Sequence, residues 1–267
     1  MASPRSACSS RDWRAVRQPS PASHKGDNGR LLVLAGSRQY HGSLILAVQA
    51  AARFCDLVYA HSSPENKPLV QKIKSSSPNL IYLDSKALPA FFPRMDAFCV
   101  GPGWEKNSGN RSLLGAVLKT KKPAVIDATA FDLLDKKKLH PNAILTPHHG
   151  EFVRLFGQSA TPASVRAMAK KHHCVILCKG PTDFIASPAS FAVNRTHHVG
   201  MTKGGTGDVL SGLLGALLAS HTPAFQAAKA AAYLNGLAGV RLSKKMGPHY
   251  SSDDLASELP SAARAIE

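Results

Sequence analysis

The sequence predicts an α/β fold, with helices covering both faces of a mostly parallel sheet. Two observations carry this prediction. From Arg30 onward, short β-rich runs alternate with helical segments. The runs are also apolar almost throughout, as strands covered on both faces are, whereas half-exposed strands alternate apolar and polar residues. No internal repeat and no linker interrupts the pattern, so one domain is expected.

The elements follow in order. Strands are expected at "LLVLA" (31–35), "DLVYA" (56–60), "DAFCVG" (96–101), "PAVID" (123–127), "AILT" (143–146) and "CVILCKG" (174–180). Helices fall between them, at Ser43–Cys55 and Asn110–Lys119 among others. "DFIAS" and "FAVNR" (183–195) have the β-branched and aromatic content and the intervening break of a hairpin. After Gly207 the chain turns helical, and "AFQAAKAAAYLNGLAGVRL" reads as one long Ala-rich helix. Ligands of such sheets sit outside the carboxyl ends of the strands. The residues gathered there are Gly36-Ser37, "GPG" (101–103), Asp127, "TPHHGE" (146–151), Lys179-Gly180 and a glycine loop at 204–207.

Composition narrows the class. No segment reaches the ~18 apolar residues of a membrane span. The chain carries 33 Lys+Arg against 17 Asp+Glu, a formal charge of +16, which suits an anionic partner. Aromatic residues are only 6% and are not interleaved with the basic ones, which argues against nucleic acid. Four of the five cysteines sit among apolar residues. Cys174 and Cys178, four apart on one strand, would be about 13 Å distant and cannot pair. Reduced thiols and a cytoplasmic location are therefore expected. Residues 1–22 are rich in Ser, Pro and Arg without an apolar signal core, the composition of a disordered basic tail. The His-His pairs at 148–149, 172–173 and 197–198 lack helical ligand spacing and an accompanying Cys-x-x-Cys, so no metal site is expected.

"GMTKGGTGDVLSGLLGALLA" (200–219) has four glycines in its first eight residues, then an acid, then an apolar helix. A glycine run entering a helix offers unpaired N–H groups and the positive dipole end to phosphate. It is not a Walker loop, because no Lys-Ser/Thr follows, and it lacks the third glycine of a dinucleotide fingerprint. Asp208 could serve as a helix N-cap. An acid beside an anion hole could also take a proton from a nucleophile attacking the bound phosphate.

This segment resembles the anion-hole segment of the ribokinase-like superfamily. Together with "SHKGDNGRLLVLAGSRQYHG" (23–42), "VGPG" (100–103), "ILTPHHGEF" (144–152), "VILCKGPTDFIA" (175–186) and "AAYLNGLAG" (231–239), it resembles the nucleotide-dependent NAD(P)H-hydrate dehydratases over nearly the whole chain from Ser23. The resemblance implies a three-layer α/β/α domain over 23–267 and dehydration of the hydrates NADHX and NADPHX, driven by ADP or ATP with Mg2+. It implies Asp208 as the base. Gly204, Gly205, Thr206 and Gly207 would hold the transferring phosphoryl group, and Lys179, Gly180, Pro181, Thr182 and Asp183 would bind nucleotide. Ser43, Gly103, His148 and Asp208 would contact the hydrate.

Bland readings stand beside these roles: His148 as a helix cap, Lys179 as a solvated strand end, Gly103 as a turn glycine. The family commonly has Asp where Thr129 stands, Pro at His149, Asn at His198 and Gly at Glu105, so the departures gather on the substrate side. The resemblance also implies a homotetramer. Many members fuse an N-terminal epimerase; here the similarity begins near Ser23, so a separate epimerase acting beside an S-specific enzyme is expected. The rival readings are a hydroxymethyl kinase of the same superfamily and a non-catalytic nucleotide-binding protein.

Overall fold

A computed structural model describes residues 6–76 and 80–267. Among these residues ten strands form a single sheet: β1 (Ser6–Ala7), β2 (Arg30–Leu34), β3 (Leu57–His61), β4 (Leu80–Tyr82), β5 (Ala97–Val100), β6 (Ala124–Ile126), β7 (Ala143–Leu145), β8 (Val175–Cys178), β9 (Asp183–Ala186) and β10 (Phe191–Asn194). Their spatial order is β1-β10-β9-β8-β7-β6-β5-β2-β3-β4. Every neighbouring pair is parallel except β8–β9 and β9–β10, the expected hairpin and its junction. The strands predicted from apolar runs form at those runs. β1, of two residues, and β4, of three, were not anticipated.

The period of two along each strand divides the core into halves. Leu31 and Val33 of β2, with Ala97 and Cys99 of β5, pack under the helices Gly42–Ala51, Thr206–Ala219, Ala224–Met246 and Ser252–Arg264. Leu32, Leu34, Phe98 and Val100 face the opposite way, toward the helices Ser108–Lys119 and Pro162–Lys171. Three layers result, as expected. All residues from Val209 to Ala219 are buried, because this helix packs on β2, β5 and β6 and is flanked by Gly42–Ala51, Ala224–Met246 and Ser252–Arg264. That explains why it is apolar on every side.

One expectation fails. From Ser6 the N-terminal segment is ordered and does not form a disordered tail; residues 1–5 lie outside the described residues. β1 adds in parallel to β10. Trp13, in the short helix Ser10–Arg14, is 3% exposed and meets Phe54 edge-on at 5.6 Å. Asp12 pairs with Lys229 at 2.6 Å. The physical reason is that the basic stretch contains three anchors, Trp13, Val16 and Asp12, whose burial and pairing outweigh the composition around them.

Candidate active site

The parallel strands end together. β2 leads into Gly36-Ser37, β5 into Gly101-Pro102-Gly103, β6 into Asp127, β7 into Thr146-Pro147-His148, and β8 into Lys179-Gly180. The expected loops therefore meet at one edge. Two contacts tie neighbouring loops together: Gly36 N donates to Pro102 O at 2.7 Å, and Lys179 N to Pro147 O at 2.8 Å.

Asp208 is not an N-cap. The helix Thr206–Ala219 is capped by Gly205 at φ 90°, a left-handed backbone where a Cβ would strike the Leu46 and Ser252 side chains. Asp208 thus falls in the first turn, beside amides that have no intrahelical acceptor. Burial raises its pKa to about 6; the Ser43 hydroxyl's hydrogen bond opposes this, nearby Asp127 adds to it and Lys179 opposes it. Gly103, at φ 65°, lies against Ser43; a Cβ there would come within 2.8 Å of Ser43 Oγ. Ser43, Gly103 and Asp208 therefore stand together.

Lys179 is not a solvated strand end. Its ammonium lies 2.9 Å from Asp127 Oδ1, with Asp127 only 2% exposed. Ser211 donates to the other carboxylate oxygen at 2.7 Å. Burial disfavours the Lys179 charge, but Asp127, Glu151 and Asp208 outweigh it, and the pKa is raised. The cation is aimed at the helix N-terminus, 3.3 Å from where a Gly207 Cβ would be.

A cavity of about 400 Å³ opens on this cation. Of the predicted residues, His148, Lys179, Gly180, Pro181, Asp183, Thr206 and Gly207 line it; Thr182, Gly204 and Gly205 do not. Asp183 is structural as well. Its carboxylate accepts from Gly180 N at 3.0 Å and Asn194 Nδ2 at 2.9 Å, closing the turn, while burial pushes its pKa up to about 6. The Thr206 hydroxyl is spent on the loop carbonyls of Met201 and Lys203, at 2.8 and 3.0 Å. His148 does cap its helix: Nδ1 accepts from Gly150 N at 3.0 Å and Glu151 N at 3.3 Å. That fixes the proton on Nε2, which lies 3.6 Å from Glu151 Oε2.

Several site residues escaped the sequence reading. His197, not His198, lines the cavity. His198 instead caps the turn Val199–Thr202, its Nδ1 accepting from Gly200 N at 3.1 Å. Asn235 also lines the cavity; it is 5% exposed and its amide oxygen has no partner. A buried acceptor of this kind is costly unless a ligand supplies the donor. The only signal was a polar residue on the buried face of an Ala-rich helix. Asp127 and Ser211 act through Lys179; the sequence places Asp127 at a strand end and Ser211 within the 200–219 segment but gives neither a role.

No group of three or more His, Cys, Asp or Glu that could hold a metal occurs among the described residues. The nearby carboxylates are engaged: Asp127 as above, and Glu151 with His148 N at 2.8 Å.

Similarity to known proteins defines the class first. The chain superposes with a TM-score of 0.89 on a ribokinase-like superfamily protein from Enterococcus faecalis, covering 98% of this chain and 96% of that one at 23% identity. The fold is ribokinase-like. It also matches the ADP/ATP-dependent NAD(P)H-hydrate dehydratase of Bacillus subtilis, co-crystallised with ATP and Mg2+, with a TM-score of 0.86, 26% identity and full coverage of both chains. The ADP-dependent (S)-NAD(P)H-hydrate dehydratase of Nitrosopumilus maritimus is 36% identical over 270 residues, spanning 92% of each chain. The NAD(P)H-hydrate dehydratase family model matches residues 31–261. The chain belongs to that family.

Proposed function

We propose that this enzyme dehydrates the S epimer of NADHX or NADPHX to the intact dinucleotide, using ADP as the phosphoryl donor, with Asp208 as the general base. The observation that carries the reading is Asp208 itself: a carboxylate in the first turn of a buried helix, tuned toward neutrality, with Ser43 on one side and the Lys179 cavity on the other. A base works best with a pKa near the working pH. The ADP dependence in the name of the Nitrosopumilus relative supports ADP as donor.

The terminal phosphoryl group sits between the Lys179 ammonium and the helix N-terminus, with the amides of Gly204 to Gly207 toward its oxygens. Asp208 takes the proton of the ring hydroxyl as that oxygen attacks phosphorus and AMP departs. The phosphorylated hydrate then eliminates phosphate, a ring C–H proton leaves, and the dihydronicotinamide double bond is restored. Mg2+ on the phosphates neutralises charge when bound. The segment 179–183 binds the nucleotide, Thr182 from outside the cavity wall, and Asn235 offers its unpartnered oxygen to a nucleotide donor. Ser43, Gly103 and the His148 Nε2–H position the hydrate.

Around this chemistry we place a homotetramer. A reducing, cytoplasmic setting is supported by the five cysteines, none of them disulfide-bonded. No helix among the described residues is long and apolar enough to cross a membrane.

The test is incubation of each hydrate with ADP or ATP, following the dihydronicotinamide absorbance and phosphate together. Both should rise in parallel. A stable phosphorylated product without recovered absorbance would identify a kinase instead. With mixed epimers and no epimerase, a fast phase should consume the S form and a slow phase should follow spontaneous epimerisation.

A further inference from the structure

On the β2–β5 side of Asp208, the carboxyl edge of the sheet holds a second cavity of about 320 Å³. Its walls come from the loops after β2, β3, β4 and β5, and include Ser37, His61, Trp104, Glu105, Asn107 and Leu113. It adjoins the hydrate contacts directly. Trp104 follows Gly103, which lies against Ser43, and Ser37 follows Gly36, which is tied to Pro102. A dinucleotide with its nicotinamide ring at Asp208 has a whole adenosine still to accommodate. The Lys179 cavity is needed for the phosphoryl donor, and this cavity lies beside the ring's contacts on the other side.

The charge of its wall is unlike that of the rest of the molecule. The chain carries a formal charge of +16, yet among the described residues no Lys or Arg lines this cavity, and Glu105 is the only charged side chain there. The cation adjacent to Glu105 in sequence is turned to other work. Lys106 pairs with Asp132 at 2.8 Å. Burial lowers the pKa of His61, whose Nδ1 is held by Leu83 O at 2.8 Å, so it adds no positive charge near neutral pH. Trp104 and Leu113 give apolar surface, while Ser37 and Asn107 give neutral polar groups. An aromatic base with a ribose fits such a wall, and a phosphate monoester does not. In nicotinamide-dinucleotide sites generally, an acid accepts from the ribose hydroxyls, while a basic residue is what accommodates a 2′-phosphate.

We propose that this cavity binds the adenosine half of the hydrate, that Glu105 accepts from its ribose hydroxyls, and that the enzyme therefore prefers NADHX over NADPHX. The proposal rests on the dehydratase reading. Its test is the ratio of kcat/KM for the two hydrates at saturating ADP, in the wild type, Glu105→Gln and Glu105→Arg. The expected ratio favours NADHX by about tenfold or more, the scale of one lost polar contact or added repulsion. Glu105→Gln should raise KM for NADHX severalfold with kcat and the ADP KM unchanged. Glu105→Arg should narrow or invert the preference.

Calorimetric titration with the products NADH and NADPH applies the same test without turnover; NADH should bind more tightly, and Glu105→Arg should reverse the order. Equal or inverted wild-type preference, in turnover or binding, overturns the proposal. So does a Glu105 effect confined to ADP. Turnover of neither hydrate, with the NADH preference intact, would instead remove the dehydratase reading and leave the binding assignment standing.

Discussion

Asp208 is poised between two demands. Burial holds its pKa near 6, above the ordinary carboxylate value, and Ser43 and Lys179 only partly offset the shift. A carboxyl whose folded pKa is raised stabilises the fold below its unfolded pKa, and that contribution is lost as pH rises through about 6. Asp208→Asn should therefore melt higher than wild type at pH above about 7, while its rate falls by about 10²–10⁴. Activity should show an acid limb near pH 6, where the base becomes protonated. Paired melting and rate profiles check both; an active Asp208→Asn would leave Asp208 with no role as a base. This is a trade of stability for function at a single residue.

At the scale of elements, the ends of β6 and β8 are joined by a single buried contact. Asp127 holds the Lys179 ammonium at 2.9 Å, and Ser211 anchors Asp127 from the central helix. Asp127→Asn keeps the shape and removes the countercharge, so the cation loses its aim at Gly207. A misplacement of about 1 Å can cost about 10²-fold in rate. The expected result is such a loss in kcat with the hydrate KM little changed; a change in KM alone would make the pair a binding feature.

The loop before β7 offers a different lever. His140 is 6% exposed, neither ring nitrogen has a partner, and burial pushes its pKa down to about 4. Its folded pKa lies below the unfolded value, so stability is lost as pH falls from about 6.5 toward 4. His140→Leu should flatten that part of the stability–pH curve, as read by denaturant titration; an unchanged curve would place the acid sensitivity elsewhere.

Over the whole molecule, the three layers were legible because apolar runs mark strands buried on both faces, and the glycine loop marked the helix N-terminus at Thr206. The edge strand β1 was not legible, because two residues carry no period; β4, as long as β6 and β7, was missed as well. The N-terminal tail was misread because composition averages over a Trp and a Val that pack. Asp127 was legible at a strand end but without a role, and Ser211 had none either, because Lys179 and Asp127 lie far from them in sequence; Asn235 went unassigned because its oxygen faces a cavity instead of a neighbouring side chain. The charge of +16 is also a whole-molecule property. If it gathers the anionic substrates, kcat/KM should fall as salt rises toward physiological strength while kcat holds. A flat response would assign the charge to solvated surface.

The proposed mechanism requires that the hydroxyl leaving the hydrate first attack phosphorus. Its most direct test labels that hydroxyl with heavy oxygen and determines by mass spectrometry where the label goes during ADP-driven turnover. Attack at phosphorus followed by C–O cleavage must deliver one labelled oxygen into each released phosphate. Label in solvent water, with unlabelled phosphate, would mean that ADP hydrolysis and dehydration are separate events and that Asp208 does not join them.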